Sequence, residues 1–375
     1  MTRIRSRFLT SWTKQGLTIE NTPETACYIK TIPDTGEKTE MNDFIKKKAV
    51  IVKDEHGMPN YMTMFYLEPL LGTGQGAGFK TPEMFIVNGK AVPAVLISQY
   101  TNVMINGIPA SLPYQQPAEN VNCINAAKLC RKKGKGWHLM TNTEWVYLIE
   151  ETGRLGHKIS GNTNHGKNAE NPEEKGWCYD GYTCLTGLDP LAWSHDGTKD
   201  GVFGLCGNFW EWVAGLRLHR GMIEYIKDND AAAADHDEYS EKWVPAAADG
   251  RELFLDAQCG KVVLTDGQIA GAYDGSHMKD LQLAGNLKEV PEIIHKLGIL
   301  PRDWKTEKAG IWVDSELEEV VPVRGSGFDS ASNGGVAALH LGDPRSNGGG
   351  DVSFRSALYL EDWKPVTEIL AGKCG

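Results

Sequence analysis

Near its C-terminus the chain alternates apolar and polar residues with a period of two: Leu339 and Leu341 fall on one face of a predicted strand, His340 and Gly342 on the other. The flanks, 325–335 and 342–351, are Gly, Ser, Asn and Asp rich and hold almost nothing that could build a core. They do hold contact-making groups: Phe328, Asp343, Arg345 and Asn347. A frame interrupted by such loops usually displays a surface, because binding groups sit on loops held by rigid elements. Upstream, Trp210, Trp212, Ala214, Leu216 and Leu218 alternate in the same way and predict a strand with one buried face. Both tryptophans are read as core rather than as a ligand platform.

Other elements follow from local chemistry. From Pro59 the chain is β-rich, and Asn88-Gly89 between apolar runs predicts a two-residue hairpin. Val121, Ile124, Ala127 and Leu129 recur near helical spacing and predict a helix over 120–133, ended by Gly134. A second helix is predicted over 143–152, with Thr141 as N-cap and Glu144 completing a capping box. Residues 153–200 form a long irregular region in which Trp177, Tyr179, Tyr182 and Trp193 are candidate pins. The acidic, Ala-rich segment 228–241 reads as a solvated insertion, and GTGQGAG at 72–78 as a loop, because no helix follows it. Residues 1–56 are polar and charged and read as an N-terminal extension or small attachment module; a domain is expected over 57–375. The expected fold class is α+β, with small twisted antiparallel sheets, two helices and long irregular loops.

Composition narrows the function classes. Eleven tryptophans and 41% hydrophobic residues suffice for a core, while a net charge of −10 argues against nucleic acid or an anionic membrane surface as partner. No apolar run approaches the length of a membrane span, so no membrane insertion is expected, and the basic N-terminus lacks the apolar stretch of a signal peptide. The eight cysteines show no CxxC pair or zinc spacing and suit a reducing compartment; Cys178 and Cys184 are candidates for a bridge.

Two stretches carry a resemblance. GKGWHLMTNTEWVYLIEETG (134–153) and VFGLCGNFWEWVAG (202–215), followed by VRGSGF and FRSA, resemble in order the motifs of the formylglycine-generating enzyme superfamily, which has a C-type-lectin-like fold. Within it the chain looks more like the variable proteins of diversity-generating retroelements. Those end in a region similar to 324–355 here, with Asn where this chain has Gly327, Asp329, Ser330, His340, Gly342 and Asp343, and Trp where it has Phe328. The resemblance implies that these positions, with Ser332, Asn347, Gly349, Gly350 and Asp351, are variable ligand-binding residues. It implies a non-enzymatic display protein facing a protein or glycan ligand on a bacterial surface, as part of a phage virion (tail) or a surface protein, and it is compatible with a homo-oligomer. The alternatives are a formylglycine-generating-type copper oxidase and a structural tail subunit. The enzymes' copper-binding cysteine pair has no counterpart between Leu300 and Asp362, so no catalytic residue is expected. No cofactor is expected either. Calcium stays open, because Glu211 and the carbonyls of Gly207 and Phe209 match the enzymes' calcium ligands, while Gly204 stands where a further side-chain ligand is needed.

Overall fold

A strand run of lysines opens the smaller of two main sheets. In the computed structural model, which describes residues 44–68, 80–234 and 237–372, Ile45–Lys53 pairs antiparallel with Pro59–Leu67. The sheet continues through Ala94–Ser98 and Ser356–Leu360 to Trp137–Leu139, every pairing antiparallel. The boundary expected at residue 57 therefore falls between two paired strands. Lys46, Lys47 and Lys48 disguise the edge strand as a polar tail, although charged residues are what edge strands use against unwanted pairing. The reading of residues 1–43 and the 72–78 loop concerns segments outside the described residues, as do Cys27 and Cys374.

The central strand Ala94–Ser98 is buried at every position because both faces of the sheet are covered. Val95 and Ile97 pack with Phe65, Trp145, Tyr147 and Leu148, which brings in the helix Asn142–Arg154. Leu96 packs on the other side with Met62, Met64, Leu358 and Val366, which brings in the C-terminal helix Trp363–Leu370. The capping box forms as expected: the Glu144 amide donates to the Thr141 hydroxyl and the Thr141 amide to the Glu144 carboxylate. The helix Cys123–Arg131 starts at an Asn122 cap, and Asn88-Gly89 turns between Ile86–Val87 and Lys90–Ala91 with both φ angles positive.

The second sheet has twelve strands and runs from Tyr273–His277 through Gly310–Asp314, Leu339–Asp343, Glu319–Arg324 and Leu216–His219 to Met222–Ile226 and beyond. It differs from the expected small antiparallel sheets. Three of its pairings are parallel, among them Gly310–Asp314 with Leu339–Asp343 and Val352–Phe354 with Trp210–Trp212. Four α-helices are described rather than two, the extra pair being Glu292–Lys296 and Trp363–Leu370. The architecture is α+β and mostly sheet, compatible with a C-type-lectin-like fold.

The chain passes from one sheet to the other at Arg355, between Val352–Phe354 and Ser356–Leu360. Arg355 is fully buried and donates to both oxygens of Glu211 at 3.0 and 2.6 Å, to the Ser98 carbonyl at 2.8 Å and to the Phe203 carbonyl at 2.7 Å. Arg324 is equally buried and binds the Asn142 side chain and the carbonyls of Leu297 and Gly298. Burial pulls its guanidinium down to about 9, still protonated at neutral pH. Both ends of the predicted variable stretch are thus pinned by buried arginines.

The region 153–200 is irregular, and of its candidate aromatic pins Trp193 is one, its indole N–H donating to Glu174. Trp193 is buried; Trp177 and Tyr182 are 57% and 53% exposed. The other pins are side-chain amides and carboxylates bonded to backbone. Asn162 donates to the Tyr182 carbonyl and accepts from the Gly166 amide, while Asp180 accepts from the amides of Tyr182 and Thr183. Cys178 and Cys184 face each other as free thiols, sulfurs 3.5 Å apart. The 228–241 segment is not wholly solvated: Asn229, Ala231 and Ala232 are buried, and Asn229 donates to Glu144 and to the Met84 carbonyl.

Within this loop Asp189 is half-buried, and desolvation raises its carboxyl from an ordinary 3.8 to about 7, with the Gly187 amide pulling the other way. The folded chain then holds a proton that the unfolded chain releases near pH 4, so stability falls as pH rises from about 4 to about 7. Asp189→Asn is expected to raise the melting temperature at pH 8 and to lose that advantage at pH 4. Equal shifts at both pH values would show that folding does not raise this carboxyl.

Candidate functional site

Strand Leu339–Asp343 separates a core face from an open face by its pleat. Leu339 and Leu341 are fully buried in the large core cluster. His340 lies on the other face, opposite Trp312 on one neighbouring strand and Val323 on the other. Its ring sits 5.8 Å from Trp312, 6.0 Å from Trp210 and 6.3 Å from Tyr273. The Trp312 ring lies over two glycines: a Cβ at Gly275 or Gly310 would come within 2.1 Å of it.

Asp343 closes the strand. Its carboxylate faces His340 Nδ1 at 3.2 Å and accepts a hydrogen bond from the Asn347 amide. These contacts, His340 first, hold it below its ordinary value against the opposing effect of burial. A cavity of about 480 Å³ opens here, lined by Trp210, Trp212, Tyr273, Asp314, Val323 and residues of the 340–352 stretch. Gly342 shapes its floor: a Cβ there would meet His340 Cε1 and Tyr273 Cε2 at 2.9 Å each. Asn347, Gly350 and Asp351 are exposed, Gly349 partly so, and a Cβ at Gly350 would meet nothing closer than 3.9 Å.

The remaining predicted residues lie on an adjacent shoulder. Phe328 is half-buried, packed against His165 at 5.6 Å and Tyr182 at 6.1 Å, both from the long irregular loop. Asp329 is exposed; the Ser330 hydroxyl accepts from the Gly327 amide. Gly327 is buried against Trp210, whose ring a Cβ would meet at 3.3 Å, and so joins shoulder to cavity. Ser332 is exposed and lines a different cavity of about 480 Å³ beneath the shoulder, with Thr163 and Glu307. The predicted positions therefore form two neighbouring groups rather than one continuous face.

Sequence reasoning missed the cavity's aromatic wall. Trp210, expected in the core with Trp212, is half-buried and lines the opening; only Trp212 is core, its indole N–H donating to the Val121 carbonyl. Tyr273 and Trp312 come from strands the hydrophobic pattern left unassigned. The alternation of Trp210 with Trp212 was the available signal, but a strand at a sheet junction has no single buried face.

Glu211 is almost fully buried and gives both oxygens to Arg355, with the Thr101 hydroxyl at 3.5 Å. An ion pair is thus the partner this structure gives the carboxylate that the resemblance matched to a calcium ligand. Among the described residues no group of three His, Cys, Asp or Glu is arranged to hold a metal, and no helix is long and apolar enough to cross a membrane.

No family model matches the chain, and no curated protein matches it. Two solved structures are similar at low identity. PvdO from Pseudomonas aeruginosa is 14% identical with a TM-score of 0.33, over 84% of this chain and 100% of its own. A Major Tropism Determinant, U1 variant, is 13% identical with a TM-score of 0.29, over 84% of this chain and 73% of its own.

Proposed function

We propose that the chain is a non-enzymatic display protein, a phage-tail or surface component that binds a protein or glycan ligand through its C-terminal loops. The observation that carries this reading is the cavity at His340, Gly342 and Asp343. Positions singled out by the sequence line an open, aromatic-walled concavity on a strand whose reverse face is core. Gly350, where a Cβ would meet nothing closer than 3.9 Å, leaves room to be set by side-chain choice, and a side chain at 342 would reshape the cavity by moving His340 and Tyr273.

The oxidase alternative needs two thiolates for copper. Among the described residues the close thiol pair is Cys178 and Cys184, far along the chain from the motif position, and burial with Asp189 nearby pushes the Cys184 thiol well up, against thiolate formation.

The test is binding of the purified full chain to a panel of whole bacterial cells. Gly342→Trp fills the cavity and displaces the His340 and Tyr273 rings that a Cβ there would meet at 2.9 Å; it is expected to weaken binding to any positive strain by about tenfold or more, as loss of an interface hot spot does. Asp329→Arg probes the shoulder. If both variants fold and bind every positive strain as the parent does, the reading is wrong.

A further inference from the structure

The proposed display site also carries a sign. Among the described residues, Asp314, Asp343 and Asp351 line the cavity, and no lysine or arginine does. The Asn347 amide donates to Asp343, and His340 Nδ1 faces the same carboxylate at 3.2 Å. Asp314 has one oxygen occupied by the amides of Glu316 and Leu317. The cavity offers a ligand carboxylate oxygens and the rings of Trp210 and Tyr273, with the Tyr273 hydroxyl and the Trp210 indole N–H as neutral polar groups beside them. Ring quadrupoles beside carboxylates call for a cation. An anion would meet three like charges, and a neutral ligand would leave them without a counter-charge.

Resting on the display reading, we propose that this cavity binds the basic side chain, arginine or lysine, of a protein partner. A protein is favoured over a free amine by the neighbouring shoulder. Phe328, His165 and the 53% exposed Tyr182 form an aromatic rim, joined to the cavity through Gly327 and Trp210, that a small cation in the cavity would leave untouched. Low-dielectric walls focus the field of the carboxylates and favour such a side chain on approach.

The experiment follows the indole N–H signals of Trp210 and Trp312 in the labelled full chain, assigned with Trp210→Phe and Trp312→Phe. The probes are Nα-acetyl-arginine amide and Nα-acetyl-lysine amide. Nα-acetyl-citrulline amide and Nα,Nε-diacetyl-lysine amide are their neutral counterparts, and choline and glucosamine represent non-protein cations. Saturable shifts are expected with the two basic amides and not with the neutral ones. The double variant Asp343→Asn with Asp351→Asn is expected to weaken the basic amides about tenfold, the loss of roughly one charge-assisted contact. Its thermal melt reports whether it remains folded.

Equal binding of arginine and citrulline amides, or no shift with either basic amide, overturns the inference. Tighter binding of choline or glucosamine than of both amides overturns the protein assignment. If the amides fail while Gly342→Trp still abolishes cell binding, the display reading stands without this one; if both fail, neither survives.

Discussion

Glu211→Ala is expected to destabilise the chain by about 3–5 kcal/mol, because it leaves Arg355 charged, buried and without its counter-ion. That is a large share of the roughly 5–15 kcal/mol that holds a domain together. The consequence is architectural as well as energetic. Arg355 stands where the chain leaves one sheet for the other, and its remaining bonds reach the Ser98 carbonyl in the small sheet and the Phe203 carbonyl at the end of the long loop. Glu211 sits on the Trp210–Trp212 strand of the large sheet, so the pair ties three parts of the fold at one point. The double variant Glu211→Met with Arg355→Met is expected to recover much of the loss, since two apolar side chains replace two desolvated charges. Urea unfolding of the parent and the two variants checks this. A single-variant cost below about 1 kcal/mol would mean that water reaches the pair. The same samples address calcium. With the carboxylate committed to Arg355, added calcium or a chelator is expected to leave the parent melting temperature unchanged; a rise with calcium would assign Glu211 to the ion instead.

What the sequence made legible was local. The capping box at Thr141 and Glu144, the Asn88-Gly89 turn and the pleat of Leu339, His340 and Leu341 each depend on neighbours within a few residues, and each is found where expected. What escaped depends on distant partners. Ile45–Lys53 looks polar because it is an edge strand, and its membership shows only in its register with Pro59–Leu67. The long loop is held by Asn162, Asn168 and Asp180, whose bonds to backbone leave no periodic trace. Trp210 and Trp212 share an alternation, yet only Trp212 is core, because a three-residue strand caught between Glu319–Arg324 and Val352–Phe354 is covered unevenly. The candidate site followed the same division. Its 340–351 half was readable from loop composition and resemblance, whereas Tyr273 and Trp312 reach it through strand pairings that sequence separation hides.

Leu341→Ala should cost about 2–5 kcal/mol, the transfer and cavity terms of a fully buried leucine. Its neighbour His340 should behave differently, although not as an ordinary surface residue. The His340 side chain is 21% exposed, wedged among Trp210, Tyr273 and Trp312 and paired with Asp343. His340→Asn is therefore expected to cost about 1 kcal/mol, more than the ~0.5 kcal/mol of a typical exposed substitution and well short of the core value. Part of that loss is recoverable, because asparagine keeps an amide donor on the side facing Asp343. Thermal melts rank the two variants, and binding reverses the rank. At concentrations where both remain folded, Leu341→Ala should leave ligand affinity near that of the parent, since its side chain points into the core away from the cavity. His340→Asn, which removes a ring from the cavity wall, should change affinity severalfold in either direction. The division of this strand into a supporting and a displaying face stands on that crossed result. If His340→Asn unfolds the chain as readily as Leu341→Ala, His340 is a core residue and position 340 is not free to vary.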